Sequence, residues 1–195
     1  ELVWLDPFDA YLLEVQGSGT VELPKGRKMR VGYSEKNGQK YESLSKFLKD
    51  KIPAENMNLH SIEAYLRSLP EVEMRKVLNL NPSYVFFKEL DQHALTSMGV
   101  PATEGRTIAV DQRYFPKGAL AFLVSTKPIF EQPQELQPKS YEPFSRFVLD
   151  QDIGGAIVGG GRADIFWGRG DQAKRVAGVI KQTGNLYYIA PKKKI

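Results

Sequence analysis

The 195-residue chain contains no cysteine. That excludes disulfides, zinc–thiolate sites and cysteine nucleophiles together, and leaves the compartment open. Histidine is scarce. His60 and His93 fall in or just after a helical middle with no spacing for a metal or a triad, so both read as surface or packing residues. No apolar run approaches the roughly 20 residues needed to cross a bilayer. GxSxG is missing, so Ser18 in Gln16-Gly17-Ser18-Gly19 is not a hydrolase nucleophile. The glycines at 154–155 and 159–161 do not follow a strand–GxGxxG–helix order, which makes a dinucleotide site a weak reading. Net charge is only +4, part of it in the terminal Lys192-Lys193-Lys194 run, and no nucleic-acid recognition motif accompanies it. The chain opens at Glu1 without a charged and apolar leader, so an export signal is not expected within it.

The chain does hold 17 glycines and 12 prolines among short apolar runs, a mix that favours a mainly β, turn-rich fold with a few helices. Residues 1 to 33 read as strands, including Tyr11 to Val15. A hairpin follows from Thr20 to Tyr33 around Pro24-Lys25-Gly26. A helix is expected from Ser43, with Leu44, Phe47 and Leu48 on one side. A second is capped at Asn58, and a third starts with Pro70 in its first turn and carries Val72, Val77 and Leu78. Strands are expected near Thr107–Val110, Ala119–Ser125, Arg146–Asp150, Ala163–Phe166 and Asn185–Ala190. Lys127 to Pro143 reads as a surface loop, and Asp171 to Gln182 as a last helix stopped by Gly184. A domain boundary falls between residues 91 and 103.

The stretch Leu149 to Gly170 concentrates the candidate chemistry. Asp152 and Asp164 flank a glycine-rich turn, and Ile165-Phe166-Trp167 follow Asp164 directly. Bulky apolar neighbours are expected to desolvate Asp164, and desolvation raises a carboxyl pKa toward the range useful to a general acid. Asp152, ahead of Ile153-Gly154-Gly155, suits a turn held by backbone N–H groups. Asp111 reads alone as a strand-end turn former. Three aspartates could bind Mg²⁺ or Ca²⁺, but no calcium-loop spacing is present, so neither a metal nor a cofactor is expected. Tyr114 and Trp167 lie beside these carboxylates, and aromatic faces suit sugar rings.

Ordered motifs along the whole chain resemble one known family. They include VWLDPFDA at 3–10, QGSG at 16–19, NPSYVFF at 81–87, AVD at 109–111, QDIGGAI at 151–157 and RADIFWG at 162–168. Together these resemble the MltA-type membrane-bound lytic transglycosylases of bacterial peptidoglycan. The resemblance implies a smaller β-rich insert domain, here 1–95, and a three-aspartate double-psi β-barrel domain, here 96–195, with a groove between them. It implies cleavage of the β-1,4 bond between N-acetylmuramic acid and N-acetylglucosamine without water, leaving a 1,6-anhydro sugar. A single aspartate, Asp164, would act as acid and then base. Asp152 would tune it and Asp111 would support the site. Gln16, Ser18, Gly154, Gly155, Tyr114 and Trp167 would contact glycan. The expected partner is the peptidoglycan strand, with other cell-wall enzymes as candidate partners, and a monomer is expected. The expected location is the periplasm, with a lipid anchor upstream of Glu1 holding the protein at the outer membrane. The alternative is a non-catalytic peptidoglycan-binding or scaffold module.

Overall fold

A computed structural model describes residues 1–192; Lys193 and Lys194 of the terminal lysine run lie outside the described residues. The chain divides into two compact units, Glu1–Ala94 and Leu95–Ile195. It is mostly strand, with four α-helices and eight strands among the described residues. Among the described residues no helix is long and apolar enough to cross a membrane.

The first unit begins with a helix, α1 (Pro7–Gln16), which overturns the expected strand at Tyr11–Val15. The determinants are at its ends. The Asp6 carboxylate accepts from the amides of Phe8 and Asp9 at 3.0 and 3.2 Å, and Pro7 occupies the first turn. Gly17 closes the helix at φ 73°, a conformation that only glycine adopts without cost. Next come β1 (Ser18–Glu22) and β2 (Lys28–Lys36), the expected hairpin, with Glu22 opposite Lys28. The helix expected from Ser43 is a single 3-10 turn, Leu44–Lys46. Leu44 and Leu48 are buried there, but Phe47 faces outward.

α2 (Leu59–Arg67) starts at Asn58, whose side chain accepts from the Ser61 amide while Ser61 Oγ accepts from the Asn58 amide. α3 (Glu71–Leu78) follows with Pro70 as its cap. Val72, expected inward, is 65% exposed, because Met74 and Leu78 take the buried stripe at i and i+4. β3 (Val85–Leu90) completes an antiparallel sheet of order β1-β2-β3. Phe8, Leu44, Leu48, Ile52, Leu66, Met74 and Leu78 make the core of this unit.

The second unit is one five-stranded sheet of order β7-β4-β6-β5-β8: β4 (Thr107–Val110), β5 (Leu120–Ile129), β6 (Ser140–Asp152), β7 (Ala163–Ile165) and β8 (Asn185–Tyr188). Only β4 and β6 run parallel. With β7 and β8 at the two edges the sheet stays open, and no closed barrel forms among the described residues. The expected loop from Lys127 to Pro143 is instead the tip of a long hairpin. The ladder continues through Lys127↔Glu142, Pro128↔Tyr141 and Ile129↔Ser140, leaving only residues 130–139 as loop. The prolines concealed strands that cross-strand pairing sustains, including a Lys127–Glu142 ion pair at 2.9 Å.

α4 (Asp171–Ala177) ends at Gly178, well before Gln182, since a glycine inside a helix costs about 1 kcal/mol. Gly184 serves another purpose: a Cβ there would lie 2.5 Å from the Val124 carbonyl. The core gathers Ile108, Val110, Ala121, Leu123, Phe144 and Val148, with Ile165, Trp167, Leu186 and Tyr188 packed against it.

Phe8 is fully buried beneath Arg67, whose guanidinium lies 5.3 Å from the ring centre. Phe8→Ala should lower unfolding free energy by about 3–5 kcal/mol in urea titrations. Val72→Ala should change it by less than about 0.5 kcal/mol.

Candidate functional site

The short strand β4 places two of the three aspartates. Its Ala109 pairs with Asp164 on β7 and with Asp152 on β6, so the three form one row across neighbouring strands. Register partners present their side chains on the same face, and strands lie about 4.8 Å apart, which puts the two aspartate backbones roughly 10 Å from each other. The residue between them is an alanine. The row therefore carries two aspartates flanking one small side chain, on the face opposite the core.

This placement corrects the expected environment of Asp164. Its side chain is 44% exposed rather than pressed into apolar neighbours. Strand alternation explains the difference, since Ile165 pairs with buried Ile108 on the core face and Asp164 turns the other way. Trp167 packs toward the core, its ring centre 5.4 Å from that of Phe144, and Phe166 lies under Arg169. What Asp164 does meet is Arg162, which donates to both carboxylate oxygens at 2.8 and 2.7 Å. Arg162 also donates to the Ala156 carbonyl at 3.0 Å, tying the glycine loop to β7. An exposed ion pair of this kind is worth about 0–1 kcal/mol, so a ligand can displace it.

Asp152 has a different set of partners. Its Oδ1 accepts from the amides of Ser97 and Ile153, both at 2.9 Å. Asp111, just past β4, is buried and fully engaged. Arg113 donates to both of its oxygens, and the Gly159 amide donates to Oδ2 at 2.8 Å. Asp111 thus holds the turn after β4 and fastens the glycine loop. Gly159 sits at φ 93°, which suits glycine alone. Among the described residues no three such side chains converge on a metal position.

The other expected residues divide between the units. Gly154 lies under Ile157, where a Cβ would approach within 2.9 Å, while Gly155 faces open space. Tyr114 is 60% exposed, with one side of its ring against Gly160 and Arg113 over it. Gln16 and Ser18 belong to the first unit, at the step from α1 into β1.

Three residues escaped the sequence reading: Asp150, Lys117 and Tyr188. Asp150 is fully buried, pairs with Lys117 and accepts from the Tyr188 hydroxyl at 2.9 Å. Burial, and then this bond to Asp150, push the Tyr188 phenol above its ordinary range. The available signal was a charge at a core-facing position of the alternating run Phe144, Arg146, Val148, Asp150.

Arg113's hydrogen bonds, followed by the Gly159 amide, hold the Asp111 carboxyl well below the usual carboxylate range. A carboxyl depressed in the folded state stabilises fully above its unfolded value of about 3.9, and loses that contribution as pH falls below it. The stability difference between the wild type and Asp111→Asn should therefore stay constant from pH 7 to about pH 4 and shrink below. Urea titrations at stepped pH measure it.

Known proteins match this layout in order. Residues 1–88 match the MltA specific insert domain and residues 106–190 the 3D domain. Membrane-bound lytic murein transglycosylase A of Escherichia coli K12 is 30% identical over 185 residues, 93% of this chain and 49% of that protein. The solved lytic transglycosylase LtgG of Burkholderia pseudomallei is 41% identical, with a TM-score of 0.64, over 96% of this chain and 55% of its own. E. coli MltA with bound chitohexaose is 28% identical, with a TM-score of 0.77, over 91% and 52%. The chain spans about half the length of the curated relatives it matches. Through these two consecutive domains it belongs to the MltA-type lytic murein transglycosylase family.

Proposed function

We propose that this protein is a peptidoglycan lytic transglycosylase of the periplasm, acting at the outer membrane through a lipid anchor upstream of Glu1, and that Asp164 is its single acid–base. The observation that carries the reading is the row Asp164–Ala109–Asp152, where one carboxylate is exposed and the other is tied to two backbone amides. Ordinary glycosidases divide acid and base or nucleophile between two free carboxylates. Here Asp152 has its Oδ1 held by two backbone amides, and both proton transfers are assigned to Asp164.

The substrate's own 6-hydroxyl supplies the nucleophile, and its position on the same sugar replaces the second carboxylate by proximity. Asp164 donates its proton to the glycosidic oxygen as the bond from C1 breaks. O6 then bonds to C1, and its proton passes to Asp164. The products are a free 4-hydroxyl on N-acetylglucosamine and a 1,6-anhydro-N-acetylmuramic acid end. No water is consumed and the aspartate is restored. Arg162 must yield one carboxylate oxygen for this cycle, a small cost for an exposed pair.

Tyr114 offers an exposed ring on which a sugar can stack, with Trp167 behind the site. Gly155 faces open space that leaves room for the glycan, whereas the space over Gly154 is taken by Ile157. Gln16 and Ser18 of the first unit are further candidate glycan contacts. The chitohexaose bound by E. coli MltA supports a glycan-strand partner. The engagement of both Asp164 oxygens by Arg162 favours a second reading, a module that binds peptidoglycan without cleaving it.

Incubation of the protein with purified sacculi should release anhydro-muropeptides, and Asp164→Asn should abolish that release. Reducing-end products would overturn the mechanism. Binding of sacculi without cleavage, unchanged in Asp164→Asn, would favour the binding module.

A further inference from the structure

Asp152 reaches the face of Asp164 only because β6 contains an irregularity. Phe144, Arg146, Val148 and Asp150 alternate toward the core side of the sheet, and simple alternation would send Asp152 after them. The pairing with β4 shows otherwise. Ile108 is opposite Asp150 but Ala109 is opposite Asp152, so Gln151 is an extra residue that reverses the direction of the next side chain. A bulge of this kind needs something to hold both of its sides.

Lys117 meets that need. Its ammonium donates to the Asp150 carboxylate on one side of the bulge and to the Asp152 carbonyl on the other, the latter at 2.6 Å. The near side is itself anchored. The Gly118 amide donates to the Asp150 carbonyl at 2.6 Å, the Asp150 amide donates to Ala119 at 3.1 Å, and Tyr188 donates to the second carboxylate oxygen. Tyr188 in turn stacks on Phe115, with ring centres 4.8 Å apart. Gln151 accepts at its carboxamide from Thr107 Oγ1 at 2.7 Å, which holds its side chain beside β4. A lysine suits the task, since its three ammonium hydrogens let one point charge serve two acceptors in different directions.

We propose that Lys117 is a positioning residue: it clamps the Gln151 bulge and thereby keeps Asp152 in the row with Asp164. The inference rests on the reading of that row as the reactive surface, but its primary test does not. The Ser97 and Ile153 amides donate to Asp152 Oδ1, so their NMR signals report where that carboxylate lies.

In the 195-residue chain, Lys117→Met should shift or broaden both amide signals and the carboxyl carbon signal of Asp152. Because Lys117→Met leaves a buried unpaired carboxylate and can unfold the chain, the double variant Lys117→Met/Asp150→Asn removes both charges and should displace the same three signals in a folded protein. Tyr188→Phe, which loses a contact to Asp150 alone, should leave them in place. With sacculi as substrate, the double variant should lower kcat at least tenfold with KM within twofold. If the double variant keeps the Ser97, Ile153 and Asp152 signals at their wild-type positions, the clamp is overturned. If the wild type cleaves nothing while those signals move, the proposed activity fails and the clamp stands.

Discussion

The parallel pairing of β4 with β6 is the constraint on which the second unit depends. β4 is only four residues long, yet β6 and β7 both take their register from it. Thr107 and Ala109 turn to one face, Ile108 and Val110 to the other. The second pair is fully buried and seeds the core with Val148, Ala121 and Leu123, so a slip of one residue would put a charged row into that core. The geometry of the carboxylates is therefore set by hydrophobic burial on the far side of the sheet.

Much of this was legible from local pattern. The limits of β4 follow from a short apolar run, and the hairpin β1–β2 follows from Pro24-Lys25-Gly26. α2 follows from its cap. The apolar run Tyr11–Val15 taken alone suits a strand, but the Asp6-Pro7 start and the Gly17 stop together specify a helix and override it. The long β5–β6 hairpin was hidden because its prolines and glutamines signal loop, whereas pairing ten residues deep with a partner strand is a non-local gain.

The site was legible in its residue types but not in its environments. Asp164 is adjacent in sequence to three large apolar side chains, and adjacency suggested burial. In a strand, neighbours in sequence point to opposite faces, and the decisive partner proved to be Arg162, two positions away. Asp150 escaped notice for the complementary reason. Its partners, Lys117 and Tyr188, are 33 and 38 residues distant, so no spacing rule connects them.

The glycine loop between β6 and β7 has two moorings, the Gly159 amide held by Asp111 and the Ala156 carbonyl held by Arg162, and within it Ile157 folds back over Gly154. The loop is therefore tethered at two points, through Ala156 and through Gly159.

The extra residue at Gln151 makes chain length the tightly specified quantity in this region. The Gln151 carboxamide is tied to Thr107, but which way the next side chain faces follows from the number of residues along the strand. Removing one residue between Asp150 and Asp152 would conserve every aspartate and still turn one of them into the core. Two homologous chains with identical acidic residues but a gap at this point would not share a site.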